Sequence, residues 1–120
     1  LGRVAALRDE LGAARRHYNK ALELRPGFAQ AHNNLGLVLA RQGERDAAMA
    51  HFRAAIRHDA AFVRAHVNLA ALLEQAGRLD EAAEHFQRAI ELAPENTALR
   101  KRLQRVRQKR EATKAGASAS

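Results

Sequence analysis

Histidine is the residue type in this sequence best suited to chemistry, because imidazole titrates near neutral pH and binds metal ions. Five of the six histidines fall on two positions that recur every 34 residues: His32 and His66 on one, His17, His51 and His85 on the other. Equivalent residues of adjacent repeats stand too far apart to converge on one metal ion. Only residues from the two different positions, such as His32 and His51, could meet inside one unit. The pattern therefore predicts partly buried, neutral packing histidines and no metal site.

The sequence contains no motif that carries catalysis. It has no glycine-rich phosphate loop, no nucleophile elbow and no His-Glu-x-x-His zinc motif. Asp80, Glu81 and Glu84 are typical of the start and the exposed face of a helix rather than of an acid–base pair. We therefore expect this chain to have no enzymatic activity and to need no cofactor.

Helices are the elements expected to position these residues. Aromatic residues make up only 4% of the 120 residues, so the core must be built mainly from Ala and Leu, which suits packed helices. The absence of Cys excludes disulfides and thiolate metal sites. No apolar run approaches the ~18 residues that a membrane span needs. The sequence leaves the compartment open, with the cytoplasm favoured.

A shift of 34 residues aligns the chain with itself. The aligned positions include Leu35-Gly36, Gly43, Asp46 and Phe52, whose equivalents are Leu69-Ala70, Gly77, Asp80 and Phe86. A shift in the other direction aligns Leu1-Gly2 with Leu35-Gly36 and Tyr18 with Phe52. The sequence therefore predicts two complete units, residues 29–62 and 63–96, preceded by a truncated unit, residues 1–28, that lacks its first six positions.

These units resemble the tetratricopeptide repeat, a helix-turn-helix unit of the same length. Three features carry the resemblance: the Leu-Gly step, an Ala-x3-aromatic step at Ala14–Tyr18, Ala48–Phe52 and Ala82–Phe86, and a closing proline at Pro26 and Pro94. Two positions depart from the family pattern, with His32 and His66 at the first aromatic position and Leu39 and Leu73 at the second. The resemblance implies an all-α fold, a right-handed α-solenoid of stacked helix-turn-helix repeats.

Helices are expected at 29–42, 46–58, 63–76 and 80–92, with Asp46 and Asp80 capping the second helix of each complete unit. Residues 97–111 place Leu99, Leu103 and Val106 at helical spacing and predict a basic capping helix. Residues 112–120 are small, polar and low in complexity, so we expect a disordered tail.

In the family, the first helices of successive units line a concave groove that binds peptides. The positions that correspond here are Gln30, Asn33, Asn34, Leu37, Arg41, Arg64, Asn68, Gln75, Lys101, Arg102 and Arg105. Asn34 and Asn68 stand out, because a side-chain amide offers a donor and an acceptor to one peptide unit of an extended ligand. This arrangement resembles the asparagine ladder of O-GlcNAc transferases. Asn is also common at this position in the family, so mere tolerance is the alternative.

A second device of the family is a clamp of Lys, Asn and Arg residues that holds the C-terminal carboxylate of a chaperone. Two alignments of that clamp match only in part. The first fits Asn34 and Arg64 but has Arg3 where Asn is required, and the second has Leu37 at the same place. The clamp is incomplete in both, although the exposed cations still favour acidic peptides.

The basic C-terminal helix supports an alternative function. Residues 97–120 carry eight of the 21 basic and one of the 13 acidic residues, so the charge of the chain is concentrated there. The predicted basic patch comprises Arg100, Lys101, Arg102, Arg105, Arg107, Lys109 and Arg110. It could bind an acidic protein or, less favoured, nucleic acid or a membrane surface, but a solvated cap is the simpler interpretation.

We expect the chain to be a protein–protein interaction module whose partner is a protein or peptide, with acidic peptides among the candidates. A further alternative is a regulatory or substrate-recruiting region of a larger enzyme. Because Leu1 aligns with the middle of a first helix, the first unit has only a stub to cover its second helix. We interpret the chain as a fragment or processed product, and expect its uncovered N-terminal end to self-associate or dock other repeats.

Overall fold

The computed structural model describes residues 2–119, which form six α-helices and no strand. The helices are α1 (Gly2–Leu24), α2 (Ala29–Arg41), α3 (Arg45–His58), α4 (Val63–Gln75), α5 (Leu79–Leu92) and α6 (Thr97–Ala119). The expected all-α architecture is confirmed, and α2 to α5 begin and end within one residue of the predicted positions. The chain divides into two compact units, unit 1 (Leu1–Ala65) and unit 2 (His66–Ser120). No helix in the described part of the chain has the length and apolar character that crossing a bilayer requires.

Glycine ends α2 and α4 through the same backbone motif. Gly43 and Gly77 have φ angles of 82° and 78°, in the left-handed region that glycine adopts without strain. Beyond α2, the N–H of Gly43 donates to the carbonyl of Ala40 and that of Glu44 to the carbonyl of Leu39. These two bonds form a Schellman motif, and equivalent bonds follow α4. The glycines therefore set the turn inside each complete repeat.

The predicted caps are not used at the N-termini of α3 and α5. The N-cap residues are Glu44 and Arg78, and neither makes a capping side-chain hydrogen bond. Asp46 and Asp80 lie instead in the first helical turn, where a carboxylate interacts favourably with the helix dipole. The expected capping role of these two aspartates is thus replaced by an electrostatic one.

α1 is one continuous helix of 23 residues, rather than the stub and second helix that the alignment predicts. Asp9 stands where the later repeats have Gly43 and Gly77. A side chain in the left-handed conformation costs about 1–2 kcal/mol, so the chain continues as helix where glycine would allow a turn. Residues 3–10 are consequently exposed along α1, and Leu1 lies outside the described residues.

Small residues bring the helices of unit 1 together. α2 packs on α3 around Leu35 and Phe52, with Ala48 and Ala55 completely buried between them. Gly36 has no side chain to separate the helices, and a Cβ placed there would lie 2.5 Å from Cε1 of Phe52. Close approach of α2 to α3 therefore depends on glycine at this position.

α6 completes the core of unit 2. Leu99, Leu103 and Val106 are buried along one side of α6, which packs on α5, where Phe86 is fully buried. The helix continues past the expected end at residue 111 to Ala119, so residues 112–119 are helical where the sequence predicts a disordered tail. Alanine is the strongest helix former, and this segment contains four alanines and no proline. Ser120 lies outside the described residues.

Candidate functional site

An open groove of about 310 Å³ lies between α1 and α2 in unit 1. From α2, Asn34, Leu37 and Arg41 line it, and all three were predicted as groove residues. Leu37 and Arg41 are exposed and Asn34 is partly exposed. An amide, an apolar side chain and a guanidinium in one groove can hydrogen-bond a peptide backbone, cover an apolar side chain and pair with a carboxylate.

The opposite wall of this groove comes from α1. Leu7, Leu11, Ala14 and Tyr18 line it, and reasoning from the repeat pattern did not select them. The repeat pattern assigns ligand contacts to the first helix of each unit and none to the second helix. Asp9 is the sequence feature that could have revealed these residues. It replaces the turn glycine of the later repeats, so α1 continues as one helix and no separate first helix covers this wall.

A second depression of about 570 Å³ adjoins this groove, between the N-terminal half of α1 and the end of α2. Val4, Leu7 and Leu11 give it apolar walls. At its far end Arg15 Nη1 donates to Glu44 Oε2 at 2.6 Å and to Gln42 Oε1 at 3.1 Å. Arg15 thereby ties α1 to the turn after α2, and its charge is already balanced.

The remaining predicted residues of unit 1 divide between surface and interior. Gln30 and Arg64 are exposed, as a ligand contact requires. Asn33 is only 3% exposed and therefore cannot face a ligand in the groove. Consecutive residues of a helix point about 100° apart, so Asn34 can face the groove while its neighbour is buried.

In unit 2 the predicted groove residues differ in accessibility. Asn68 is partly exposed, and Gln75, Lys101 and Arg105 are exposed. The guanidinium of Arg102 lies 4.9 Å from the ring centroid of Phe86, in a cation–π contact that partly buries it. Asn68 is thus the accessible counterpart of Asn34, whereas Arg102 serves first to hold α6 on α5.

Most of the basic patch is engaged inside unit 2. Glu74, whose side chain is 7% exposed, accepts from Lys109 Nζ at 2.5 Å and pairs with Arg105 Nε at 3.4 Å. Arg100 donates to the carbonyl of Pro94, and Arg110 pairs with Asp80 at 3.2 Å. With Arg102 on Phe86, five of the seven patch residues make intramolecular contacts. The patch therefore anchors the capping helix more than it presents free charge.

The pKa of Glu74 reflects this anchoring. Burial alone would raise the pKa of this carboxyl, because it disfavours the charged form. Hydrogen bonds from Lys109 and Arg105 outweigh burial, and the pKa of Glu74 is lowered overall. The charged carboxylate is consequently the form that holds α6.

The histidines pair within each unit. Nδ1 of His32 lies 3.1 Å from Nδ1 of His51, and the same distance joins His66 and His85. His32 Nε2 is 2.8 Å from the carbonyl of Pro26, so that nitrogen carries the proton and Nδ1 of a neutral His32 accepts from His51. Burial, then the charges of His32 and Arg15, lower the pKa of His51. Nowhere in residues 2–119 do three or more His, Asp or Glu side chains cluster to hold a metal ion.

Comparison with known proteins identifies the repeats. Sequence models of the tetratricopeptide repeat match residues 29–61 and 63–96, and a model described as TPR repeat matches residues 2–43. No curated protein matches the sequence.

Two solved structures share the fold. The first TPR of Spaghetti (RPAP3), bound to the HSP90 peptide SRMEEVD, is 20% identical with a TM-score of 0.78; the match covers 89% of this chain and 85% of that chain. The crystal structure of MamA is 31% identical with a TM-score of 0.69, over 82% of this chain and 57% of the MamA chain. The chain thus spans little more than half of MamA. The fold class is an all-α solenoid of helical repeats.

Proposed function

The chain belongs to the tetratricopeptide repeat family, and we propose that this protein–protein interaction module binds an extended peptide segment of its partner through Asn34 and Asn68. The observation that carries the proposal is the placement of Asn34, partly exposed in an open groove beside Leu37 and Arg41. Each amide pairs with the N–H and C=O of one peptide unit, so the backbone of the ligand is bound without regard to its side chains.

Exposed cations on α2 and α4 favour acidic segments. Arg41 and Arg64 are exposed cations in unit 1, near the ends of the two helices that carry the amides. The structurally similar RPAP3 domain is bound to a peptide, SRMEEVD, that contains two Glu and one Asp. We therefore propose a ligand in which acidic side chains flank the peptide units held by the two asparagines.

The test is a selection of peptides on the intact chain, followed by measurement of affinity. Peptides displayed on phage are selected against the chain, labelled, and titrated by fluorescence polarisation together with SRMEEVD as a defined acidic probe. An Asn34→Ala/Asn68→Ala double variant is expected to weaken binding by about 10- to 100-fold, because each lost hydrogen-bonded pair contributes about 0.5–1.5 kcal/mol.

The matched control is Gln108→Ala, which removes an exposed amide from α6, outside the groove. It is expected to bind as the unchanged chain does. Selected peptides that bind the double variant with undiminished affinity would show that the asparagines are not the ligand contacts.

The alternative of an anionic surface bound by the basic helix has weaker support. Of the seven patch residues, Lys101 and Arg107 alone lack a described ion pair, hydrogen bond or ring contact. Binding to heparin or DNA that falls steeply with salt and disappears in Lys101→Gln/Arg107→Gln would favour this alternative. Arg107→Gln alone, which lies outside the predicted groove residues, leaves binding of a groove peptide intact.

A further inference from the structure

The second half of α1 carries a packing surface that its own unit does not cover. In the next repeat, Phe52 and Ala48 are buried against α2, with the ring of Phe52 against Gly36. The equivalent residues of α1 are Tyr18 and Ala14. Both are only partly buried and line the open groove of about 310 Å³. The groove thus lies where the repeat pattern requires a first helix.

The residues that match this missing helix are present but directed elsewhere. Residues 2–8 align with residues 36–42 in the second half of α2, and Gly2 and Val4 match Gly36 and Val38. Asp9 replaces the turn glycine, and this segment continues α1 instead of folding back onto Tyr18 of the same chain. Its apolar side chains remain exposed: Val4 by 56% and Leu7 by 50%.

We propose that two copies of the chain exchange these segments, so that residues 2–8 of each copy fill the groove of the other. Residues 2–8 match the segment of α2 that packs on Phe52 in the next repeat, and the groove beside Tyr18 is the equivalent place in the first repeat. A second copy of the chain therefore supplies a segment that fits this groove. Placing Gly2 of one copy beside Tyr18 of the other, as Gly36 lies beside Phe52, aligns the two α1 helices antiparallel about a twofold axis.

The spacing of apolar residues along α1 supports a helix-to-helix contact. Its small, apolar and aromatic residues recur in alternating steps of three and four, at Val4, Leu7, Leu11, Ala14 and Tyr18. This alternation is the pattern of a seam between two helices. The exchange buries one continuous stripe on each copy, and the contact is the same for both partners.

The exchanged segment occupies the α1 side of the groove, and the amides of Asn34 and Asn68 are the peptide contacts that remain. Asn68 occupies the position equivalent to Asn34 in a repeat that has both of its helices, and it stays partly exposed. Completing the first repeat therefore does not bury Asn34. Dimer formation and peptide binding are separate properties, and each can fail without the other.

The mass of the intact chain in solution tests the exchange. Light scattering after size-exclusion chromatography, over a series of concentrations, is expected to give twice 13.2 kDa at the upper end. Leu7→Glu places a charge in the seam at a half-exposed position and is expected to raise the dimer dissociation constant more than about tenfold. Leu24→Glu, at the 79% exposed last residue of the same helix, is the matched control and keeps the dimer.

Circular dichroism shows whether each variant keeps its helices. A chain that stays monomeric at every concentration overturns the proposal. A dimer that persists unchanged in a folded Leu7→Glu variant also overturns it, because the contact must then lie on another surface.

Cysteine cross-linking tests the alignment, because the natural sequence has no cysteine. Arg3 and His17 are exposed on the same side of the seam, and they come together only when Gly2 lies beside Tyr18 of the other copy. An equal mixture of Arg3→Cys and His17→Cys chains is therefore expected to oxidise mainly to the mixed disulfide. Disulfides formed mainly between two Arg3→Cys chains would indicate parallel helices and overturn the proposed exchange.

Discussion

A hydrogen atom in place of a side chain at Gly36 allows the ring of Phe52 to lie against the backbone of α2. A Cβ at this position would lie 2.5 Å from Cε1 and 2.8 Å from Cδ1 of the ring. Phe52 is 1% exposed and sits in the middle of the core of unit 1, so it has no free space into which to move. The single residue Gly36 thus sets how closely α2 and α3 approach each other.

Gly36→Ala is expected to lower the free energy of unfolding by about 1–3 kcal/mol, because the methyl group overpacks a filled core. Urea unfolding followed by circular dichroism measures the change. Gly12→Ala is the control: its Cβ would meet only Arg16 Nη1 at 3.6 Å, an ordinary contact, and alanine in a helix is expected to add about 0.5–1 kcal/mol. Equal effects of the two substitutions would contradict the close approach at Gly36.

His51 makes the stability of unit 1 depend on pH. Its pKa is lowered by burial and by the charges of His32 and Arg15, so the native chain binds fewer protons there than the unfolded chain. The stabilisation is fully present above the unfolded pKa of about 6.5 and is lost as the pH falls from there toward the lower native pKa. The melting temperature is therefore expected to fall between neutral and mildly acidic buffer.

His51→Gln is expected to make that fall smaller, and thermal melts in the two buffers measure it. His17→Gln substitutes the same repeat position on the exposed face of α1 and should keep the fall unchanged. A pH dependence that is the same in the unchanged chain and in His51→Gln would refute the role of His51.

The sequence predicts residues of the candidate site only in part. The repeat pattern placed Asn34, Leu37 and Arg41 on an accessible face of α2, and they line the groove. It placed Asn33 there too, because the family alignment marks both asparagines, but only the packing of α2 decides which of two adjacent side chains is buried. The pairing of His32 with His51 follows from their positions, whereas the proton on His32 Nε2 depends on the carbonyl of Pro26.

At the scale of elements, glycine decides where a helix ends. Gly43 and Gly77 allow the sequence to predict the ends of α2 and α4, because each supplies the left-handed residue of the turn. The alignment carried the same turn to residue 9, but Asp9 adopts the left-handed conformation less readily than glycine, and α1 continues. The low complexity of residues 112–119 suggested disorder, but the same alanines favour the helix that α6 forms there.

Glu74 is the residue that fastens α6 to unit 2. Glu74→Ala leaves Lys109 and Arg105 without their shared carboxylate, and is expected to lower the free energy of unfolding by about 1–3 kcal/mol. Denaturant unfolding measures the loss. Glu91→Ala is the control, because Glu91 and Arg88 are about half exposed and 3.7 Å apart, and such pairs contribute about 0–1 kcal/mol.

The interactions of Glu74 with Lys109 and Arg105 also make stability depend on pH. The native chain favours the charged form of Glu74, whereas it disfavours the charged form of His51. The pKa of Glu74 is lowered, so its stabilisation is present above the unfolded pKa of about 4.5 and is lost as the pH falls toward the native pKa. If Glu74→Ala and Glu91→Ala cost the same, the proposed anchoring of α6 is wrong.

At the scale of the whole molecule, the core of unit 2 depends on a helix that belongs to neither complete repeat. Leu99, Leu103 and Val106 are buried, and each buried side chain of this size contributes about 1.5–3 kcal/mol. That sum is comparable with the total stability of about 5–15 kcal/mol typical of a small domain. Repeat arrays need such an end helix, because a terminal repeat otherwise exposes an apolar face.

Two truncations separate the buried part of α6 from the rest. A chain ending at Asn96 is expected to be mostly unfolded or to lose at least about 5 kcal/mol, because it lacks all three buried side chains. A chain ending at Glu111 is expected to stay within about 0.5 kcal/mol of the intact chain, because residues 112–116 are exposed. Thermal and urea unfolding compare the three chains, and similar stability of the shortest and the intact chain would contradict the role of α6.

Tyr18 is the only tyrosine of the chain, and tryptophan is absent. Its ring lines the groove between α1 and α2. The near-ultraviolet emission of the protein therefore originates almost entirely from one ring in the candidate site, and no dye or label is needed to observe it. A change in the intensity or anisotropy of that emission therefore reports binding of a ligand in the groove. The tyrosine fluorescence of the native chain can be used to follow the occupancy of the groove.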